Sequence, residues 1–248
     1  MKKYIYILIS VLFFACNSED ANDCFQTSGS IIQNEFEAAY FNKILVKKDV
    51  ELIVTQGSEQ RVVIETGENL MNDIDISVID NELIITDNNN CNWIRDYGIT
   101  KAYVTVTDIS EIRSASQFKV SSDGTIQSNN LTLIAENFWN EEYYNLADFH
   151  MEIDCNMLRA VTNGLSVFYL NGNTNKLQIE FYAGLGKFEG ENLLADEVQV
   201  YHRGSNDMIV NPVNKLTGEL RSTGNLISVN EPPIVEVEQH YTGQLIFN

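Results

Sequence analysis

The residues of this chain that could do chemistry are few and scattered. Three histidines, His150, His202 and His240, fall at unrelated points, and none is spaced to pair with a serine or cysteine nucleophile. Acid pairs such as Asp196/Glu197 and Glu236/Glu238 supply the two carboxylates that a glycoside-cleaving enzyme needs. With 35 Asp+Glu in 248 residues, however, such pairs carry little information, and solvation of an outward surface accounts for them. Asp87-Asn88-Asn89-Asn90 with Asp96 offers oxygen ligands of the kind calcium takes, without the fixed spacing of a calcium loop, so it reads as a polar loop. No glycine loop precedes a helix to cradle phosphate. The sequence therefore assigns no catalytic residue, no metal and no cofactor. One stretch is suited to binding: Phe138-Trp139-Asn140-Glu141-Glu142-Tyr143-Tyr144-Asn145-Leu146-Ala147-Asp148-Phe149-His150. Aromatic rings beside carboxamides and carboxylates stack on sugars and bond their hydroxyls. Trp139, Tyr143 and Tyr144 are the candidate ligand-binding residues; the competing reading has Trp139 and Phe149 packing the stretch onto the body.

Charge narrows the partners further. The 16 basic and 35 acidic residues give a net charge of −19, so the basic footprint that nucleic acid requires is missing. Attraction of the folded part to anionic lipid is disfavoured for the same reason. A hydrophobic fraction of 44 % is enough for a sizeable core.

The first twenty residues carry an address. Lys2 and Lys3 precede an apolar run, Tyr4 to Phe14, far shorter than the roughly 20 residues of a membrane-spanning helix. This is the pattern of a secretory signal peptide, with Ala15 before Cys16. Leu12-Phe13-Phe14-Ala15-Cys16 resembles the lipobox of bacterial lipoproteins, which implies cleavage before Cys16, a lipid on its sulfur and an acylated new N-terminus. Asn17-Ser18-Glu19-Asp20 resembles the surface-export signal of Bacteroidetes lipoproteins, implying an outer-membrane protein facing the medium. Residues 1–15 are then a signal peptide and 16–35 an acidic tether, and membrane contact is through the lipid on Cys16 only. Loss of Lys2 and Lys3 leaves 14 basic against 35 acidic residues, a charge of −21. An exported chain can hold a disulfide. Cys24 follows the tether and Cys91 sits in a polar loop, whereas Cys155 lies in a strand-like stretch, so Cys24–Cys91 is the expected pair.

The elements that must position these residues are strands. Val50-Glu51-Leu52-Ile53-Val54, Arg61-Val62-Val63-Ile64-Glu65, Ile74-Asp75-Ile76-Ser77-Val78, Glu82-Leu83-Ile84-Ile85-Thr86 and Tyr103-Val104-Thr105-Val106-Thr107 are β-branched runs bounded by turn residues. Asp80-Asn81 fits a tight hairpin, and one helical turn fits Gly67 to Asn72. Beyond residue 108 a period near 19 residues appears, the signature of stacked coils. Leu158, Leu177, Val198, Leu216 and Val235 form an anchor column, extended backwards by Ile112 and Leu131. Eleven residues after the five anchors stand Tyr169, Phe188, Ile209, Ile227 and Ile246, with Gly164, Gly184, Gly204, Gly224 and Gly243 between the two runs. Glycine is expected at these corners for its access to positive φ. Asn137 to Asp148 is an insertion in the coil that starts at Leu131. The pattern predicts a β-solenoid in which alternate residues line a continuous interior; an antiparallel sandwich is the competing architecture.

Phe41-Asn42-Lys43-Ile44-Leu45-Val46-Lys47-Lys48-Asp49-Val50-Glu51-Leu52, then Gln56-Gly57, Arg61 to Glu65 and the strand–Gly–strand coils, resembles the head GIN domain of Bacteroidetes adhesins across roughly residues 36–248. Cys24 to Gly29 with Cys91-Asn92-Trp93 resembles a cysteine-bearing subgroup. The resemblance implies an all-β, right-handed parallel β-helix with an irregular β N-terminal part: strands over 36–107, coils over 108–248, in one domain. It also implies export and no established set of catalytic residues. The expected function is a non-catalytic envelope module that binds a glycan or an envelope protein. The alternatives are a polysaccharide-acting β-helix enzyme and a purely structural scaffold.

Overall fold

The computed structural model describes residues 24–248 except 90 and 97, so the signal peptide, Cys16 and most of the tether lie outside the described residues. The chain is all-β, in a mostly parallel sheet. Its N-terminal part holds β1 (Ile31–Phe36), β2 (Lys43–Lys47), β3 (Val50–Gln56), β4 (Arg61–Gly67), β5 (Ile74–Ile79), β6 (Glu82–Asp87), β7 (Thr100–Val106) and β8 (Glu111–Ala115). Five long strands follow: β9 (Val120–Ala135), β10 (Asp148–Thr162), β11 (Val167–Phe181), β12 (Lys187–His202) and β13 (Met208–Leu220). Short strands β14 (Leu226–Ser228), β15 (Ile234–Gln239) and β16 (Leu245–Phe247) end the chain.

Two ladders run through the N-terminal part and join in β9. One is β5-β6-β2-β8, whose last member pairs with Thr132 to Ile134 of β9. The other is β1-β4-β7-β3, whose last member pairs with Val120 to Asp123 at the start of β9. The antiparallel strands β1, β4 and β5 close this end, where β5 returns into β6 through Asp80 and Asn81, both at positive φ. That turn has the double left-handed backbone expected of a tight hairpin. Glu68–Asp73 is a 3-10 helix, where one helical turn was expected.

From β9 onwards each long strand lies parallel on the next. Leu131, Leu158, Leu177, Val198, Leu216 and Val235 are successive register partners. Alternation is clean: Leu177, Ile179 and Phe181 are fully buried, while Gln178 and Glu180 between them are half-buried. The first run of each strand stacks Val120, Phe149, Phe168, Phe188, Met208, Leu226 and Leu245. Within it Phe149 and Phe168 lie face to face, 4.7 Å apart and 5° from parallel.

Two details of the expected repeat are corrected. The second column is Phe168, Phe188, Met208, Leu226 and Leu245; of the residues eleven after each anchor, only Phe188 belongs to it. Tyr169, Ile209, Ile227 and Ile246 are displaced by one position and point outwards, because the turn from Phe181 to Phe188 is one residue longer than its counterparts, such as Thr162 to Phe168 and His202 to Met208. Likewise Ile112 aligns with Leu133, not Leu131. Of the five corner glycines only Gly184 has positive φ, at 86°. What the corner requires is close approach: a Cβ on Gly184 would lie 2.2 Å from the Gly164 carbonyl oxygen, and one on Gly164 2.3 Å from that of Asn145.

Candidate functional site

Among the described residues, the two longest connections between strands leave the stack at one corner. β6, β2, β8 and the second run of β9 are neighbours, with Val46 beside Ile85 and Lys47 beside Ala115, so their C-terminal ends line up. The loop of residues 88–99 follows β6 there, and the insertion of residues 136–147 follows β9.

The insertion is fastened by an amide cluster. Asn163 donates to Asn137 Oδ1 at 2.9 Å and accepts from Asn145 Nδ2 at 2.9 Å. The buried carboxylate of Glu136 accepts from Arg113 at 2.5 Å and from the Phe138 amide at 2.6 Å. The Tyr144 amide donates to the Ala115 carbonyl at 3.4 Å, returning the loop to the neighbouring coil. Phe149 and Ala147 are fully buried. Thus Phe149 packs the insertion onto the body and Trp139 does not: Trp139 is 92 % exposed, with Phe138 56 % and Tyr144 43 %. Tyr143 and Tyr144, with Asn140, Glu141 and Glu142, form one wall of an open cleft of about 550 Å³. Lys47, Lys48, Thr86 and Asn88 form the other wall. Tyr143 and Tyr144 are therefore brought together in one cleft, and Trp139 stands beside it without lining it.

The second loop carries a similar display. Cys24 and Cys91 are joined as a disulfide with Cα atoms 4.4 Å apart, and the Trp93 amide donates to the Cys24 carbonyl at 3.1 Å. Phe25 meets Trp93 edge-on at 5.1 Å. Trp93 is 71 % exposed, so both tryptophans of the chain stand in solvent on loops of the same corner. Exposed Leu146, Leu165 and Leu185 continue the apolar edge along successive coils. Sequence reading misses Leu165 and Leu185 because it takes turn residues as polar; their signal is a leucine directly after a corner glycine in Gly164-Leu165 and Gly184-Leu185.

The remaining chemistry-bearing residues do not converge. Asp87 is buried, which raises its carboxyl above the usual range against the bonds it accepts from Thr100 (2.6 Å) and Asn89 (2.9 and 2.7 Å). Its oxygens are thereby committed, and among the described residues no three His, Cys, Asp or Glu side chains group to hold a metal. His150 stacks on Tyr169 at 4.4 Å, His202 is buried, and His240 pairs with Glu238 at 3.1 Å on the last coil. Asp196 accepts from Asn214 on the next coil, and Glu236 pairs with Lys215. Cys155 is buried and unpaired, and burial raises its thiol pKa. No described helix is long and apolar enough to cross a membrane.

A family model described as "Putative auto-transporter adhesin, head GIN domain" matches residues 40–232. No curated protein matches the chain. Among solved structures, a "putative adhesin" from Bacteroides fragilis superposes with a TM-score of 0.78 at 17 % identity, over 90 % of this chain and 99 % of its own. A "putative lipid binding protein" from Parabacteroides distasonis gives 0.60 at 12 %, over 89 % and 97 %. A "putative adhesin" from Parabacteroides merdae gives 0.55 at 12 %, over 88 % and 97 %. At these identities the likeness is one of fold.

Proposed function

The chain belongs to the head GIN domain family, and on that premise we propose that it is a non-catalytic binding module of the cell envelope. Lipid on Cys16 holds it in the outer membrane facing the medium, and its loop-bearing corner engages a glycan or an envelope protein. The body is a single domain over residues 36–248, a right-handed β-solenoid. The continuous column of parallel register partners from Leu131 to Val235 supports that architecture, and parallel crossovers are overwhelmingly right-handed.

The observation that carries this reading is Trp139, fully displayed on an insertion that is otherwise fastened down. A large aromatic buries about 150–250 Å² on covering, a gross gain of roughly 4–6 kcal/mol. Folding leaves that gain unused, and a partner can take it up. Substituting Trp139 and Tyr144 by Ala tests the site. Binding to a glycan array or an envelope extract should fall about thirtyfold or more, the hot-spot range near 2 kcal/mol, with the circular dichroism unchanged. Unchanged binding overturns the site. Protease added to intact cells should remove the protein, and full protection overturns the address. New reducing or unsaturated ends in incubated polysaccharide would overturn the non-catalytic assignment.

A further inference from the structure

A second display of rings runs away from the insertion across the outward face of the coils. Phe138 meets Tyr182 edge-on at 5.7 Å, Tyr182 meets Tyr201 at 5.5 Å and 45°, and the Arg221 guanidinium lies 5.9 Å over the Tyr201 ring. Three successive coils contribute Tyr182, Tyr201 and Arg221, so the rings step along the stack at the spacing of neighbouring strands, about 4.8 Å. That step is comparable with the length of one pyranose ring. Beside the tyrosines lies a shallow trough of about 270 Å³, edged by Gln178, Gln199, Glu180 and Glu219. Gly218 leaves part of its floor without a side chain; its backbone presses on the coil before it, where a Cβ would sit 2.1 Å from the Val200 carbonyl oxygen.

The platform is held rigid before any ligand arrives. Glu180 accepts two bonds from Arg159, at 3.1 and 2.5 Å, and a third from the Tyr182 hydroxyl at 2.6 Å. Arg221 pairs with Glu219. Gln178 donates to Gln199 at 3.0 Å, which leaves the Gln178 carbonyl and the Gln199 NH2 for other partners. Planar amide, carboxylate and guanidinium groups beside ring faces match vicinal hydroxyls on a sugar. Pre-set geometry of this kind lowers the ordering cost of binding.

We propose that this face is a track for a linear, neutral glycan, which runs from Trp139 over Phe138 to Tyr182 and Tyr201 along the stack; the proposal rests on the corner being a binding site. Neutrality follows from the charges. Both arginines of the track are already paired with glutamates, and the whole chain carries −19, so an acidic polymer meets repulsion without a cation reserved for it. A peptide strand is disfavoured because β11, β12 and β13 are interior members of the sheet, with backbone groups committed to their neighbours.

The test is calorimetric titration of the folded chain with linear manno- and cello-oligosaccharides from dimer to hexamer, and with oligogalacturonates as the acidic counterpart. Affinity for at least one neutral series should rise with length until the track is spanned. Tyr201→Ala should weaken the longest ligand about tenfold, which is about 1.4 kcal/mol. Tyr182→Phe, which keeps the ring and loses the hydroxyl, should change it less. Absence of binding by both neutral series, preference for the acidic series, or an unaltered Tyr201→Ala affinity overturns the track. The corner reading fails separately. Loss of binding in the Trp139/Tyr144 double substitution with Tyr201→Ala intact keeps the corner and overturns the track, whereas binding unchanged by the double substitution overturns the corner and, with it, a track that starts at Trp139.

Discussion

Phe168→Ala is the sharpest test of the stack that positions both surfaces. Phe168 is fully buried in a middle coil and touches rings on either side: Phe149 at 4.7 Å, Phe181 at 5.6 Å and Phe188 at 6.4 Å. Truncation removes the transfer free energy of the ring and leaves a cavity between coils that cannot collapse without bending two ladders at once. The ordinary cost of such a change is about 3–5 kcal/mol. Loss of three ring contacts, each worth about 0.5–1.5 kcal/mol, places this site in the upper half of that range. For a chain of this size the melting temperature should fall by roughly 2–4 °C per kcal/mol, so by about 8–20 °C. Phe168→Leu, which keeps most of the volume, should cost less than about 1.5 kcal/mol. Leu245→Ala occupies the same column on the half-exposed last coil and should cost roughly 1 kcal/mol, since it has a covered neighbour on one side only. Urea titration followed by circular dichroism reads all three. A Phe168→Ala loss below about 1.5 kcal/mol, or one equal to that of Leu245→Ala, would refute the stacked interior.

Two further outcomes concern the staple and the buried imidazole. Replacing Cys24 and Cys91 by Ser opens a closure of 67 residues, for which chain entropy gives about 4.4 kcal/mol. Because Cys24 fastens a peripheral segment, the expected loss is about 2–4 kcal/mol, and an unchanged calorimetric melt sinks the stapling role. Burial holds the His202 pKa below its ordinary 6.5, against the opposing pull of Asp207; its Nε2–H donates to the Asn206 carbonyl at 2.8 Å and Nδ1 accepts from the Gly204 amide at 3.3 Å. The folded imidazole therefore stays neutral where the unfolded one takes a proton. Its contribution is complete above about pH 6.5 and is lost as pH falls below that value, at up to about 1.4 kcal/mol per pH unit. Urea melts between pH 7.5 and 5.5 should show a steeper loss in the native chain than in His202→Gln; equal slopes contradict the assignment.

Much of the stack was legible because one column obeys a simple rule. Leu158, Leu177, Val198, Leu216 and Val235 are apolar, similarly spaced and flanked by outward polar residues, so a period of two nested in a period near 19 exposes them. The other column slipped by one residue because its turns differ in length. A fixed offset that suits the turn from Phe181 to Phe188 overshoots by one at the shorter turns, Thr162 to Phe168 and His202 to Met208. Trp139, Tyr143 and Tyr144 stood out in the sequence by their density. Their opposite wall, Lys47 and Lys48, lies some 90 residues earlier and meets them only because β2 and β8 are neighbours. Tyr182 and Tyr201 escaped notice for a related reason: each is one aromatic among outward polar residues, and only the register makes them a pair.

The acidity of the chain bears on what kind of contact these surfaces make. Its carboxylates lie largely on outward positions, many tied to a basic residue on the same or the next coil: Glu180 to Arg159, Glu65 to Lys101, Glu51 to Lys119, Glu236 to Lys215. The excess that remains sets up a negative field around the body, which weakens within about 8–10 Å at physiological salt. Long-range steering therefore works against acidic polymers and against other copies of the chain, and attraction must come at short range. The features displayed at the corner and along the track act at that range: exposed indoles, a tilted pair of phenols and amides, none of which depends on net charge. A ligand selected by such contacts should bind with little dependence on salt. An electrostatic partner captured through Lys47 and Lys48 should be released steeply as salt rises, so a salt series on the bound complex separates the two modes of recognition.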